Sequence, residues 1–309
     1  MNKFLLLLSL LLCSIHLCSQ NNYNKGVGYR NRGVYDTALY YFNAALKHQQ
    51  QLKDSFQPIR VVLERGKTYQ LSEKYDLALA DFLHALSLGK QLKDNNCIMK
   101  SYIYLAEFYR HLGKYTEAQK YLNLAEKLET HSTISYQTKA QFYNRKAAIL
   151  TEILSDREEI IDLSQKAIEI SQKYGYPDIE VSSLNQLGYL FSGDATALNY
   201  YKKALAVLKK HQDVRTEVDI LINTSRFYQL SGGPYNEGIK YADKGLKLCA
   251  GKKWHYASKE LHHIKAACYH ALGNIKKANE ELVYVLEYTE KHLASQYEKN
   301  CWMQKPNTR

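Results

Sequence analysis

Proline is scarce, with 4 in 309 residues, and no Pro/Ser-rich stretch interrupts the chain. Jointed domains on extended linkers are therefore not expected, and one continuous domain is. No segment alternates apolar and polar residues as a half-buried strand does, which excludes a sheet-based fold. Apolar runs are also missing after residue 12: nothing later approaches the roughly 18 to 20 residues that span a bilayer. Cysteine is sparse, and the spacing of Cys97, Cys249, Cys268 and Cys301 matches neither a zinc framework nor a dense disulfide scaffold. Cys249 and Cys268 fall on neighbouring elements, yet read better as small core residues than as a bridge. HExxH, GxSxG, GxxxxGK[ST] and CxxC are all absent, so no zinc protease, serine hydrolase, P-loop or thiol-redox chemistry has a motif behind it.

What is present is repetition. Gly26, Tyr29, Gly33, Tyr35, Ala38, Phe42 and Ala45 recur forty residues later as Gly66, Tyr69, Tyr75, Ala78, Phe82 and Ala85, and again as Ala106, Tyr109, Gly113, Tyr115, Ala118, Leu122 and Ala125. A seventh copy, Ala266, Tyr269, Gly273, Ala278, Leu282 and Val285, keeps the same spacing. Three middle copies are irregular. The fourth is placed from spacing, with Ala148 and Ala167 kept and Thr151, Ile160 and Ser164 substituted; the fifth has Gly188, Phe191, Ala197, Tyr201 and Ala204 around a shortened turn; the sixth has Ser225, Tyr228, Gly238, Ala242 and Gly245 around Gly232, Gly233 and Pro234. Within each copy apolar residues recur at helical spacing on both sides of a break, so each is a helix, a turn and a helix. The small residues let the paired helices approach closely and the aromatics fill the gap that remains. A single hairpin cannot bury its apolar face, so the copies must stack.

Gly26/Tyr29 with Ala38/Phe42, and Gly66/Tyr69 with Ala78/Phe82, resemble the Gly-x2-Tyr and Ala-x3-Phe pattern of the tetratricopeptide repeats. The resemblance covers nearly all of the chain after the first twenty residues. It implies an all-α, right-handed α-solenoid of about seven hairpins, with units near 20–55, 56–95, 96–136, 137–176, 177–212, 213–252 and 253–292, the last helix ending near 300 and residues 301–309 forming a disordered tail. The period of about 40 exceeds the roughly 34 of the common repeat, and the closing proline is missing. That departure is similar to the long-period bacterial repeats found in the extracytoplasmic regions of sensor histidine kinases and regulators.

Residues 1–19 place Lys3 before an apolar run from Phe4 to Leu12 and end in small or polar residues, the layout of a cleaved signal peptide with a cut after Ser19. Export to the periplasm or cell envelope is the expectation. The formal charge of +11 is scattered over polar helix faces, so no nucleic-acid partner is expected, and no membrane span remains after cleavage. His255, His262, His263 and His270 sit seven apart in pairs rather than four, which argues against a metal. Most of the 27 tyrosines occupy repeat positions and are structural.

In this family the first helices line the concave groove, and the resemblance puts ligands there. The repeat frame places Arg30, Gln70, Arg110, Glu152, Ser192, Gln229 and His270 at one recurrent groove position. Three residues earlier stand Val27, Lys67, Glu107, Ile149, Tyr189, Arg226 and Ala267. Arg60, Arg145 and His263 lie nearby. The candidate contact residues are therefore Arg30, Arg60, Lys67, Gln70, Arg110, Arg145, Tyr189, Arg226, His263 and His270. This mixed but basic face suits an acidic or carboxylate-bearing peptide or protein. The asparagine/lysine clamp of chaperone-binding relatives is not matched, because Tyr23 and Val27 stand at those positions. A non-catalytic scaffold or adaptor without cofactor or metal is the expected function, and the input region of a signalling protein is the alternative.

Overall fold

A computed structural model describes the backbone of residues 2–52, 57–252 and 254–303, and the side chains of 17–47, 58–252 and 254–291. Among the described residues there are fourteen α-helices and no strand. They pair in order: α1 (Asn2–Asn31) with α2 (Tyr35–Leu52), α3 (Gln57–Leu71) with α4 (Tyr75–Gln91), α5 (Asn95–His111) with α6 (Tyr115–Glu126) and α7 (Tyr136–Glu152) with α8 (Arg157–Tyr174). Next come α9 (Pro177–Leu190) and α10 (Thr196–Leu208), after which α11 (Val214–Leu230) pairs with α12 (Tyr235–Cys249) and α13 (His255–Ala271) with α14 (Ile275–Met303). The chain forms two compact units. The first holds Met1–Leu190 with Ala206–Asp213, the second Phe191–Leu205 with Val214–Arg309, so the division falls in the fifth copy of the repeat.

The repeated small residue is a steric requirement. A Cβ on Gly26 would stand 2.7 Å from Cε1 of Phe42, and one on Gly66 would stand 2.7 Å from Cε1 of Phe82. Both rings are fully buried and cannot move aside. Where the small residue is Ala106, the facing residue is the slimmer Leu122, so volume is exchanged across the helix pair. Each core then joins neighbouring hairpins. Ile59, Leu63, Phe82, Leu86, Leu105 and Phe108 form one cluster spanning α3, α4 and α5, and Val218, Ala242, Leu261 and Ile264 belong to another spanning α11 to α13 in the second unit.

The residue just before the bulky one shows how the repeat varies. Tyr41, Tyr121 and Tyr241 stack on the core tyrosines Tyr29, Tyr109 and Tyr228 at 5.4, 5.5 and 5.8 Å between ring centroids. In the second and seventh hairpins an acid takes that place. Asp81 receives both arms of Arg65 at 2.8 and 2.7 Å, and Glu281 receives Lys265 at 2.5 Å and His262 at 2.6 Å. Arg65 and Lys265 both precede the core tyrosine by four residues, so an ion pair replaces a ring stack at one site of the repeat.

Turns keep their geometry even where glycine is lost. Gly33, Gly113 and Gly273 close their hairpins at φ of 76°, 70° and 73°, and Glu73 takes φ 60° at the corresponding position. In the fourth hairpin Leu154 adopts φ 53°, and Ser155 N–H donates to Leu150 O at 2.9 Å just as Lys114 N–H donates to Tyr109 O. Leu150, not Thr151, thus stands in the aromatic's place, and Ala147, not Ala148, is the small residue. The expected frame of that hairpin's first helix is shifted by one, because neither a glycine nor an aromatic marks it in the sequence, while Ile160, Ser164 and Ala167 of the second helix are buried where the frame puts them. Ile149, assigned to the groove, is a fully buried core residue.

Cys249 and Cys268 are buried free thiols, and Cys97 is a third. Helix α1 runs through the expected cleavage point; the apolar run from Phe4 to Leu12 lies outside the residues whose side chains are described. At the other end α14 carries on to Met303, into the stretch expected to be a disordered tail, since no glycine or proline precedes Pro306 there to stop it; residues 304–309 lie outside the described residues.

Gly66→Ala should destabilise the chain by about 1–2 kcal/mol in chemical denaturation, because overpacking exceeds the gain in helix propensity. Adding Phe82→Leu should recover much of that loss. Gly28→Ala, with no atom within 4 Å of the new Cβ, should instead stabilise by roughly 1 kcal/mol.

Candidate functional site

In the first unit successive first helices touch one another, α1 with α3, α3 with α5, α5 with α7 and α7 with α9. Their shared face carries a ladder of polar side chains. Arg60 Nε donates to Tyr23 Oη at 2.9 Å, with the guanidinium over the ring at 4.2 Å. Arg30 bonds Glu64 across α1 and α3, and Tyr104 Oη of α5 donates to the other Glu64 oxygen at 2.6 Å. Arg110 holds Glu107 on its own helix at 2.9 and 3.0 Å and reaches Glu152 of α7 at 3.0 Å, while Arg145 of α7 returns to Glu107 at 3.6 Å. The ladder ends on α9, where Asn144 Nδ2 donates to Ser183 Oγ at 2.9 Å and Gln186 Nε2 to Thr151 Oγ1 at 2.6 Å.

Burial alone would raise the carboxyl pKa of Glu64, but Arg30 and then Lys67 outweigh it and hold it down to about 2. Glu107 is likewise lowered to about 2: burial opposes ionisation, and Arg110 and Arg145 overcome it. Burial would also discharge Arg30, yet Glu64 raises its pKa and keeps it charged. Lys67 and Lys100 behave differently. Burial and Arg30 lower the Lys67 pKa against the pull of Glu64, and burial with Arg60 lowers that of Lys100. Among the described residues neither has a carboxylate within ion-pair distance; Lys100 Nζ meets only the Gln137 Oε1 amide oxygen, at 3.5 Å. Arg145 and Asp178, on α7 and α9, lie within electrostatic reach of Lys67 on α3, as does Arg30 on α1, so one side chain senses three other first helices of this unit.

The expected contact residues divide accordingly. Arg30, Arg60, Lys67, Arg110 and Arg145 come together on this face, with exposed Tyr189 at its α9 end. Arg30 and Gln70 share one repeat position and are both buried, at 5% and 8% exposure, so they brace the stack instead of presenting an open contact. Arg226, His263 and His270 belong to the second unit, where Arg226 pairs with Glu260 of α13 at 2.7 Å and the two histidines are exposed. Glu64, Lys100, Tyr104 and Asp178 were not among the expected residues. Glu64 and Tyr104 lie one helical turn before Lys67 and Glu107 on the same face, so carrying the frame back one more turn finds them. Asp178 has no such signal.

A carboxylate whose folded pKa is depressed contributes stability above its unfolded pKa, and that contribution disappears as pH falls. With ordinary values of 4.5 lowered to about 2, thermal stability should drop between those two pH values. Glu64→Gln should be destabilised by about 3 kcal/mol near neutrality, because Arg30 is left buried and unpaired. The variant should also lose part of the acid transition, measured by circular dichroism melts across that range.

Neither a protein-family model nor a curated protein matches this chain. Solved structures do. Aspartyl phosphate phosphatase F of Bacillus subtilis is 16% identical with a TM-score of 0.59, covering 90% of this chain and 72% of that one. A Rap protein complexed with competence and sporulation factor is 14% identical with a TM-score of 0.60, over 89% of this chain and 75% of that one. A signal-transduction ATPase from Pyrococcus horikoshii with a tetratricopeptide-repeat sensor is 14% identical with a TM-score of 0.56, covering 94% of this chain and 45% of that chain. At such identities the likeness is one of fold, and with helix pairs built on the Gly-x2-Tyr and Ala-x3-Phe frame it makes the chain a tetratricopeptide-repeat-like all-α solenoid.

Proposed function

We propose that this chain is an exported, non-catalytic scaffold that binds a protein or peptide segment along the first-helix face of its first unit. The observation that carries the reading is the polar ladder from Tyr23 to Ser183, which leaves Lys67 and Lys100 without carboxylate partners on an otherwise closed network. A pre-organised face of this kind offers charge and hydrogen-bond donors at little ordering cost. The similar Rap protein was crystallised with competence and sporulation factor, which supports a binding role for such a repeat stack. A second reading is the input region of a signalling protein. It is supported by the similar archaeal ATPase, whose repeats are described as a sensor. Both readings place the ligand on the same face and differ in the consequence of binding.

A photo-crosslinking residue at Arg60 or Tyr189 should form adducts with a bound segment, and one at Tyr40, exposed on α2, should not. Adducts formed equally well from Tyr40 would overturn the assignment of the face. Export rests on Lys3 and the apolar run after it. N-terminal sequencing of the protein recovered from its native cells should begin at Gln20, and a chain beginning at Met1 would refute export by cleavage.

A further inference from the structure

Three carboxylates of the first-helix face are already engaged. Glu64 is held by Arg30 and Tyr104, and Glu107 and Glu152 by Arg110 and Arg145. Lys67 and Lys100 remain, both partly buried and both on the face. Asp178 is within electrostatic reach of Lys67 without forming an ion pair. Lys67 is half-buried with no carboxylate within ion-pair distance among the described residues, and an incoming anion would supply the partner it lacks.

Resting on the peptide-binding reading, we propose that Lys67, backed by Arg145, receives an acidic side chain of the bound segment. A carboxylate fits better than a phosphoryl group. Lysine is a point charge with no fork for bidentate contact, and the Arg145 guanidinium is already spread over Glu107, Asn144 and Ser182. Asp178 further opposes a second negative charge. An internal side chain fits better than a chain terminus, since Tyr23, which stands at one of the two clamp positions of chaperone-binding relatives, is buried and bonded to Arg60.

The test is selection of binders from two random peptide libraries, one with C-termini anchored and one with C-termini free, on the full chain and on its Lys67→Gln and Lys67→Arg variants. The full chain should select anchored peptides with Asp or Glu at one fixed position. Lys67→Gln should still select peptides but lose that preference, and Lys67→Arg should keep it. For a selected peptide, Glu→Gln in the peptide and Lys67→Gln in the protein should each weaken binding about tenfold, and the two together should cost little more than either alone. The assignment is overturned if the acidic preference is absent, if it survives Lys67→Gln, or if only free C-termini are selected; in each case peptide binding itself would stand. Failure of both libraries to yield any binder would overturn the peptide-binding reading and this inference with it.

Discussion

The close approach of the two helices in each hairpin is the constraint on which the rest of the structure depends. A hairpin of two amphipathic helices has more apolar surface than its own partner can cover, so it is stable only if its helices lie near enough for the next hairpin to close over both. Gly26 against Phe42 and Gly66 against Phe82 set that distance. Ala106 against Leu122 reaches the same packing with one methyl added on one side and ring atoms removed on the other. Stacking is the result, with clusters such as Leu63, Phe82 and Phe108 belonging to two hairpins at once.

Stacking also places the first helices side by side, and polar side chains on their shared face must find partners across repeats or remain in water. Arg30, Glu64 and Tyr104 are each on a different helix, and their bonds join three hairpins. Such buried charges contribute little net stability compared with apolar residues, but removing one partner is costly. The ladder therefore acts as a register lock between hairpins.

Much of the architecture is legible in the sequence because the signal is local: small residue, aromatic, Ala and bulky residue all fall within one hairpin. Legibility fails where those markers are lost. In the fourth hairpin Leu150 and Leu154 occupy positions that elsewhere hold an aromatic and a glycine, and the frame slips by one. The division of the chain into two units leaves no compositional trace, since no Pro/Ser-rich linker marks it. Among the expected contact residues, Lys67 and Arg110 come directly from the frame, and Arg145 is read only as lying near it. Gln70 shares their frame yet is buried, because the frame gives an angle around the helix and not the depth at which the neighbouring helix covers it.

Taken alone, the sequence determined the helical pairing, the close-packed positions and the basic character of the first-helix face, all set by spacing along one or two turns. Tertiary structure alone decided which charges cancel. Glu64 is spent on Arg30 and Tyr104, and Lys67 is left facing Arg145 and Asp178, because ion pairs depend on distances between helices thirty or more residues apart in the chain. Coulomb energy falls with separation in space, and separation in space is what stacking, not sequence, sets.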